Sequence, residues 1–335
     1  MTDITTTDYH TGGEPFRIVT GGVPALAGRT VPERRRWAAA NLDEVRQLLV
    51  NEPRGHADMY GGFITPPDDA GADLGVVFFH NEGYSTACGH GTIALVTWAI
   101  DTGRIVVPPG ALEIAVTVDV PSGRLACTAR LDGGGRVEAV RFRNVPSFVL
   151  ARDVAVATSR GRLSLDIAFG GAFYGSLDVG PVGLRVEPRA LPDLIALQRE
   201  LRPAIEASLD IVHPDEPELA GIYGVIFWEP VEDSPHTQRN VTVFANGEVD
   251  RSPCGSGTSA RLAILHDRGE IGVGETLNHR SIVDSAFEAR VVTPGPPVGG
   301  RPTVITEVEG AAYRTGQHTF TIDDRDPLGR GFQLR

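Results

Sequence analysis

Two cysteines sit in the same five-residue pattern, Cys88-Gly89-His90-Gly91-Thr92 and Cys254-Gly255-Ser256-Gly257-Thr258, half a chain apart. Each pattern leads into a stretch of helical character, Thr92 to Ile100 and Thr258 to His266. A thiol just ahead of a helix meets the positive end of the macrodipole and several unpaired N–H groups. An unperturbed thiol, with a pKa of about 8.5, is only slightly ionised at neutral pH. A helix N-terminus worth about 0.3 to 2 kcal/mol lowers that value by up to about 1.5 units. One cysteine can then take a proton from a carbon acid while the other, protonated, donates to the opposite face. The glycines let backbone N–H groups approach and bind a carboxylate, the group on which charge builds as an α-proton leaves. The repeated motif therefore predicts a pseudo-symmetric enzyme whose paired cysteines face one substrate.

Three other readings compete with this one. Gly89-His90-Gly91-Thr92-Ile93-Ala94 and Gly255-Ser256-Gly257-Thr258-Ser259-Ala260 fit the dinucleotide fingerprint G-x-G-x-x-A. In that fingerprint, however, the strand runs straight into the first glycine. Here polar loops, including Asn81-Glu82-Gly83 and Asp250-Arg251-Ser252-Pro253, intervene. A zinc site built on Cys88 and His90, with His56 and His80 in the same half, lacks a second pair to complete a tetrahedral set. Two inert cysteines in glycine-rich turns would explain one motif, but not the same motif twice.

Composition narrows the chemistry further. The 335 residues contain no lysine, which excludes a pyridoxal phosphate Schiff base and a Walker-type phosphate loop. A formal charge of −12 argues against nucleic acid as a partner. The cluster Arg34-Arg35-Arg36 is flanked by acidic residues and reads as a solvated helix face. No apolar run is long enough to span a bilayer, and Met1-Thr2-Asp3-Ile4 lacks the basic start of a signal peptide. Three cysteines do not make a disulfide framework, so a reduced, cytoplasmic protein is expected. Cys127, in the alternation Leu125-Ala126-Cys127-Thr128-Ala129, is expected to be a buried, inert strand residue.

The elements that would carry the motifs follow one order twice. In the first half a turn at Gly12-Gly13 precedes a strand at Phe16 to Thr20, then comes an amphipathic helix at Leu42 to Leu49. A buried strand at Gly75 to Phe79 leads to the first motif, and period-2 strands at Leu112 to Val120 and Val137 to Phe142 follow. In the second half, strands at Leu165 to Phe169 and Phe173 to Val179 precede a helix at Leu191 to Leu209, which Pro203 should break or kink. Strands at Ile222 to Phe227 and Val241 to Phe244 lead to the second motif, and strands resume at Ser281 to Val292 and Thr303 to Glu309. Pro294-Gly295-Pro296-Pro297 and Val298-Gly299-Gly300 are expected to form an exposed turn.

With Asp8-Tyr9-His10-Thr11-Gly12-Gly13-Glu14-Pro15, Glu52-Pro53-Arg54-Gly55 and Asp250-Arg251-Ser252-Pro253 added to the two cysteine motifs, the whole chain resembles the proline racemase family. That family includes hydroxyproline 2-epimerases and trans-3-hydroxy-L-proline dehydratases. The resemblance implies an α+β, diaminopimelate-epimerase-like fold: two pseudo-symmetric halves, each with antiparallel strands around a central helix, and the active site in the cleft between them. The halves would span 1–145 and 146–309, with a tail at 310–335 returning to the first. The resemblance also implies that no cofactor is needed. Carried over to these positions, Cys88 and Cys254 become the acid/base pair. Gly89, His90, Gly255 and Ser256 become carboxylate and ring contacts, and Asp250 the partner of the substrate's ring nitrogen. The expected partner is a small molecule, proline or a hydroxyproline, with neither nucleic acid nor membrane involved; a homodimer is an admissible assembly.

Two stretches bear on the reaction. Glu52 to Tyr60 and His80 to Ser85 are similar to the dehydratase branch, which typically carries threonine where this chain has Cys254. Epimerases usually carry a substrate-contacting histidine well before the aspartate, and Gly221-Ile222-Tyr223-Gly224-Val225 has none. Inversion needs two acid/base groups, whereas β-elimination needs one base and help for the departing hydroxyl. Cys254 thus points to inversion of the α-carbon, with dehydration as the alternative and a non-catalytic amino-acid-binding relative as a third reading.

Overall fold

The computed structural model describes Asp3 to Leu334 except Asp233 and Asp324. Met1 and Thr2, on which part of the leader-sequence reading falls, lie outside the described residues. The chain forms two compact units, one made of the chain up to Phe142 and from Ala311 onward, the other of Arg143–Gly310. Among the described residues no helix is long and apolar enough to cross a membrane.

The first unit begins with an antiparallel hairpin, β1 (Ile4–Thr11) and β2 (Glu14–Gly21). Its two-residue turn holds Gly12 at φ 60° and Gly13 at φ 92°, a conformation that side chains other than glycine enter only at a cost. Helices α1 (Val31–Asn41) and α2 (Asp43–Val50) then cross over to β3 (Tyr60–Thr65), which runs parallel to β2. Strand β4 (Leu74–His80) returns antiparallel to β3. Helix α3 (Gly89–Asp101) crosses to β5 (Glu113–Val120), parallel to β4, and β6 (Gly123–Leu131) pairs antiparallel with β5. Strand β7 (Val137–Arg143) ends this stretch of chain.

The second unit repeats that order of pairings. Strand β8 (Phe148–Thr158) precedes the antiparallel pair β9 (Gly161–Phe169) and β10 (Phe173–Asp178). Helix α4 (Leu191–Ser208) crosses over to β11 (Ile222–Pro230), parallel to β10, and β12 (Thr237–Phe244) returns antiparallel. A short strand, β13 (Glu248–Asp250), folds back on β12. Helix α5 (Gly255–Asp267) then crosses to β14 (Thr276–Ser281), parallel to β12. Strands β15 (Ala286–Val298) and β16 (Arg301–Gly310) extend the antiparallel sheet. The last strand, β17 (Ala312–Phe320), belongs to the first unit and pairs with β1 from Thr11↔Ala312 to Ile4↔Phe320.

Helices α3 and α5 are the centres of their units. Every residue from Gly89 to Ile100 is buried, and so is every residue from Gly255 to Leu265. A helix buried on all faces must be wrapped by other elements. Strands β1, β2, β3, β6 and β17 pack on α3, and β8, β9, β10, β15 and β16 pack on α5.

Four expectations are corrected. Both central helices begin three residues earlier than their apolar pattern suggests, so the glycine motifs are helical first turns rather than loops. Helix α4 runs unbroken through Pro203. An interior proline costs about 3 kcal/mol. Leu194, Leu197, Leu201 and Ile205 are all fully buried along its inner stripe, each worth about 1.5 to 3 kcal/mol, so packing wins. The run Pro294 to Val298 is strand, with Pro294 opposite Val304 and Gly295 opposite Thr303; only Gly299-Gly300 turns. Arg34 is buried, not solvated, and its guanidinium donates to the carbonyls of Gly28, Arg29 and Pro66.

Candidate active site

In the first unit Cys88 is the N-cap of α3, in extended backbone at φ −154°. Its sulfur accepts the Gly91 N–H at 3.2 Å, a bond between the cap and the third helical residue. The side chain is buried. The motif's glycine at 91 is a steric necessity: an added Cβ would meet the Cys88 sulfur at 2.6 Å and the Phe16 ring at 2.5 Å. Gly89 and His90 supply first-turn N–H groups, which have no intrahelical acceptor.

His90 lies beside the thiol, with both ring nitrogens 3.6 Å from the sulfur. Tyr60 and Phe16 meet its ring edge-on, with centroids 4.9 and 6.0 Å away, and Thr11 Oγ1 donates to its carbonyl at 2.9 Å. Burial pushes the imidazole down to about 3, against a raising hydrogen bond to the Pro15 carbonyl. At neutral pH His90 is therefore an uncharged neighbour, able to shape and hydrogen-bond but not to supply a fixed positive charge.

In the second unit Cys254 caps α5 differently. Its backbone sits at φ 63° and ψ 102°, and its side chain makes no capping hydrogen bond. Such a conformation costs a non-glycine residue about 1 to 3 kcal/mol and persists only where surroundings impose it. Ser252 is one of those surroundings: its Oγ accepts the Cys254 N–H at 3.1 Å and donates to Asp250 Oδ1 at 2.7 Å. The Ser252 N–H donates to the same carboxylate oxygen at 2.8 Å. Asp250 ends β13 directly opposite Thr242 on β12, which is how the hairpin brings both residues to the helix end.

Burial sets the electrostatics here. It lifts the Cys254 thiol to about 12, with the Asp250 charge adding to the rise and neighbouring polar groups, the Thr242 hydroxyl first, opposing it. Among the described residues the Thr242 hydroxyl has no hydrogen-bond partner of standard geometry, and it lies against this thiol. Asp250 is lifted to about 6, again by burial, with Ser252 as the main opposing influence. Tyr174 adds a second hydroxyl, 3.9 Å from the Cys254 sulfur and 2.6 Å from Ser256 Oγ. Cys127, by contrast, is a buried strand residue on β6, pushed up to about 12 with burial as the cause.

Around α3 the structure thus brings together Cys88, Gly89 and His90, and around α5 Asp250, Cys254, Gly255 and Ser256. Sequence reasoning missed Tyr60, Tyr174 and Thr242. Each lies on a strand, β3, β10 or β12, among other polar residues, and nothing in its local sequence sets it apart. No group of three or more His, Cys, Asp or Glu with metal-binding geometry occurs among the described residues.

Known proteins are similar to this chain over nearly its whole length. The proline racemase family matches residues 6–333. A 3-hydroxyproline 2-epimerase of Burkholderia multivorans is 48% identical, covering 99% of this chain and 98% of its own. A trans-3-hydroxy-L-proline dehydratase of Burkholderia cenocepacia is 47% identical over the same shares. A crystal structure of a hydroxyproline epimerase from Agrobacterium vitis, with bound trans-4-hydroxy-L-proline, superposes with a TM-score of 0.91 at 33% identity. It covers 100% of this chain and 97% of that one. The fold is thus α+β and diaminopimelate-epimerase-like, with two halves of one plan. The chain belongs to the proline racemase family, a family of enzymes.

Proposed function

We propose that this enzyme acts on the α-carbon of 3-hydroxyproline and inverts it with Cys88 and Cys254 as the two acid/base groups. The observation that carries the reading is the repeated plan: in each unit the second helical crossover begins at a buried cysteine followed by two glycines. Inversion needs a base on one side of the carbon and an acid on the other. The two Burkholderia relatives are both named for 3-hydroxyproline, which supports that ring over proline itself.

In this reading the substrate carboxylate lies on first-turn N–H groups of Gly89, His90, Gly255 and Ser256, where the partial positive charge of the helix ends favours it. Asp250, as carboxylate, pairs with the ring ammonium. Cys88, already accepting the Gly91 N–H, is the better-prepared thiolate and takes the α-proton. The electron pair spreads into the carboxylate as an enediolate, stabilised by the same amides. Cys254, which burial keeps protonated, returns a proton to the other face and becomes the thiolate for the reverse reaction.

Dehydration is the second reading, and one observation favours it. The Tyr174 and Ser256 hydroxyls, hydrogen-bonded at 2.6 Å beside Cys254, form a proton-donating pair that could serve a departing C3 hydroxyl. The same α-proton would leave, but the hydroxyl would depart as water and no proton would return to the α-carbon. Proton NMR of trans-3-hydroxy-L-proline with the enzyme in deuterated water separates the two. Inversion yields the C2 epimer carrying deuterium at the α-carbon. Loss of the C3 hydroxyl with no epimer establishes dehydration, and an unchanged spectrum refutes both.

A further inference from the structure

We propose that His279 is a positioning residue for Cys254: acting through Thr258, it holds the Pro253–Cys254 segment in the positive-φ conformation that sets the sulfur at the end of α5. His279 lies on β14, opposite Gln238 of β12 and Phe287 of β15, and is fully buried. Its Nδ1 is 2.8 Å from Thr258 Oγ1, and Thr258 Oγ1 is 3.0 Å from the Pro253 carbonyl. The hydroxyl has one hydrogen to give. With that hydrogen on the Pro253 carbonyl, Nδ1–H donates to Oγ1, and this tautomer, assigned from the bonding pattern, satisfies both contacts.

The other unit shows what the histidine adds. Thr92, at the same motif position, turns its hydroxyl to the carbonyl of Cys88 itself, at 2.9 Å. Thr258 reaches one residue further back, to the carbonyl before its cysteine. Cys88 sits at an ordinary φ of −154°, whereas Cys254 sits at +63°. Strand β5, which follows α3 as β14 follows α5, carries buried Val116, Val118 and Val120 and no histidine. The extra anchor occurs with the strained cysteine and not with the relaxed one.

The rest of the His279 ring has no other polar task. Its Nε2 is buried without a hydrogen-bond partner among the described residues, an arrangement that an apolar side chain would avoid. Burial, reinforced by the charge of Arg261, pushes the imidazole down to about 3, so the ring is neutral and acts as a fixed hydrogen-bond donor.

The inference rests on Cys254 being a reacting thiol, and its test therefore includes a readout that needs no turnover. Alkylation of each cysteine by iodoacetamide is followed by peptide mass spectrometry across pH in the parent, His279→Leu, His279→Asn and Thr258→Val. Release of the anchor lets Cys254 relax and its sulfur leave the buried position. In His279→Leu, Cys254 alkylation should then speed up about fivefold with a lower midpoint pH, while Cys88 stays unchanged. In steady state kcat should fall about tenfold with KM within about twofold of the parent. His279→Asn places an amide N–H near Nδ1 and should restore most of the loss. Thr258→Val should reproduce His279→Leu, and the double variant should be no worse than either single one.

A folded His279→Leu with the parental Cys254 alkylation profile and kcat overturns the proposal. So do additive effects of the two substitutions, or an asparagine no better than leucine. If the leucine variant does not fold, Thr258→Val and His279→Asn decide between the same two outcomes. Full inversion by Cys254→Ser would instead defeat the two-thiol reading, leaving the alkylation result for His279 to stand by itself.

Discussion

The Cys88 sulfur rests on the backbone of Gly91, taking its N–H at 3.2 Å, so closely that a methyl group on Gly91 would fall 2.6 Å from it. The same methyl would strike the Phe16 ring. Gly91→Ala should therefore displace the thiol and lower kcat by about 100-fold, at a stability cost of about 1 to 3 kcal/mol from overpacking. Gly257→Ala meets the Cys254 sulfur at 2.9 Å and should act in the same direction, less severely. Gly133, where an added Cβ meets nothing within 4 Å, is the control: its alanine variant should keep parental turnover and melting temperature. Equal activity of the Gly91 and Gly133 variants would show that the thiol's seat does not matter.

Asp250 gives turnover and stability opposite responses to pH. Its carboxyl is raised from an ordinary 3.8 to about 6 by burial, so between these values the folded chain holds a proton that the unfolded chain has released. The folded state consequently loses stability as pH rises through about 6. Turnover, which in the proposed mechanism uses the carboxylate to pair with the ring ammonium, should rise over the same interval. Asp250→Asn keeps an oxygen for Ser252 but removes the buried charge. It should melt higher than the parent at pH 8, melt at the same temperature well below pH 4, and lose about 100-fold in kcat/KM. Calorimetry and initial rates on the two proteins check both halves; a lower melting point for the variant at pH 8 contradicts the sign.

Cys254→Thr separates the two reactions. A threonine hydroxyl is no base at neutral pH, so inversion should stop, while Cys88 remains to remove an α-proton. Water loss from trans-3-hydroxy-L-proline should persist or rise in this variant. Chiral chromatography of the residual substrate would show it, together with a colorimetric test for the cyclic imine that forms when the C2=C3 enamine left by water loss tautomerises. Continued inversion by the threonine variant would remove Cys254 from the mechanism.

The sequence marks the two helix-capping cysteines more fully than it marks the elements around them. Cys88 and Cys254 are legible because a motif repeated at matching points leaves little room for accident, and the strands around them alternate or run apolar as buried strands do. The first turns of α3 and α5 are not, because glycine pairs read as loops until the surrounding strands are seen to bury them. Pro203 and the Pro294 to Pro297 run depart from expectation for a related reason. Local backbone preference is outweighed by the buried stripe of α4 and by pairing with β16. Thr242, Tyr174 and His279 leave no trace, since each comes to α5 from a separate strand.

The central claim, two thiols serving opposite faces of one α-carbon, is tested most directly by hydrogen exchange in the single serine variants. Cys88→Ser and Cys254→Ser are each incubated in deuterated water with the two C2 epimers of 3-hydroxyproline separately, and α-deuterium is followed by NMR. Neither variant should invert the carbon. Each should exchange the α-proton of one epimer only, through its remaining thiol, and the two variants should choose opposite epimers. Exchange of the same epimer by both variants, or inversion by either, would contradict the two-thiol account.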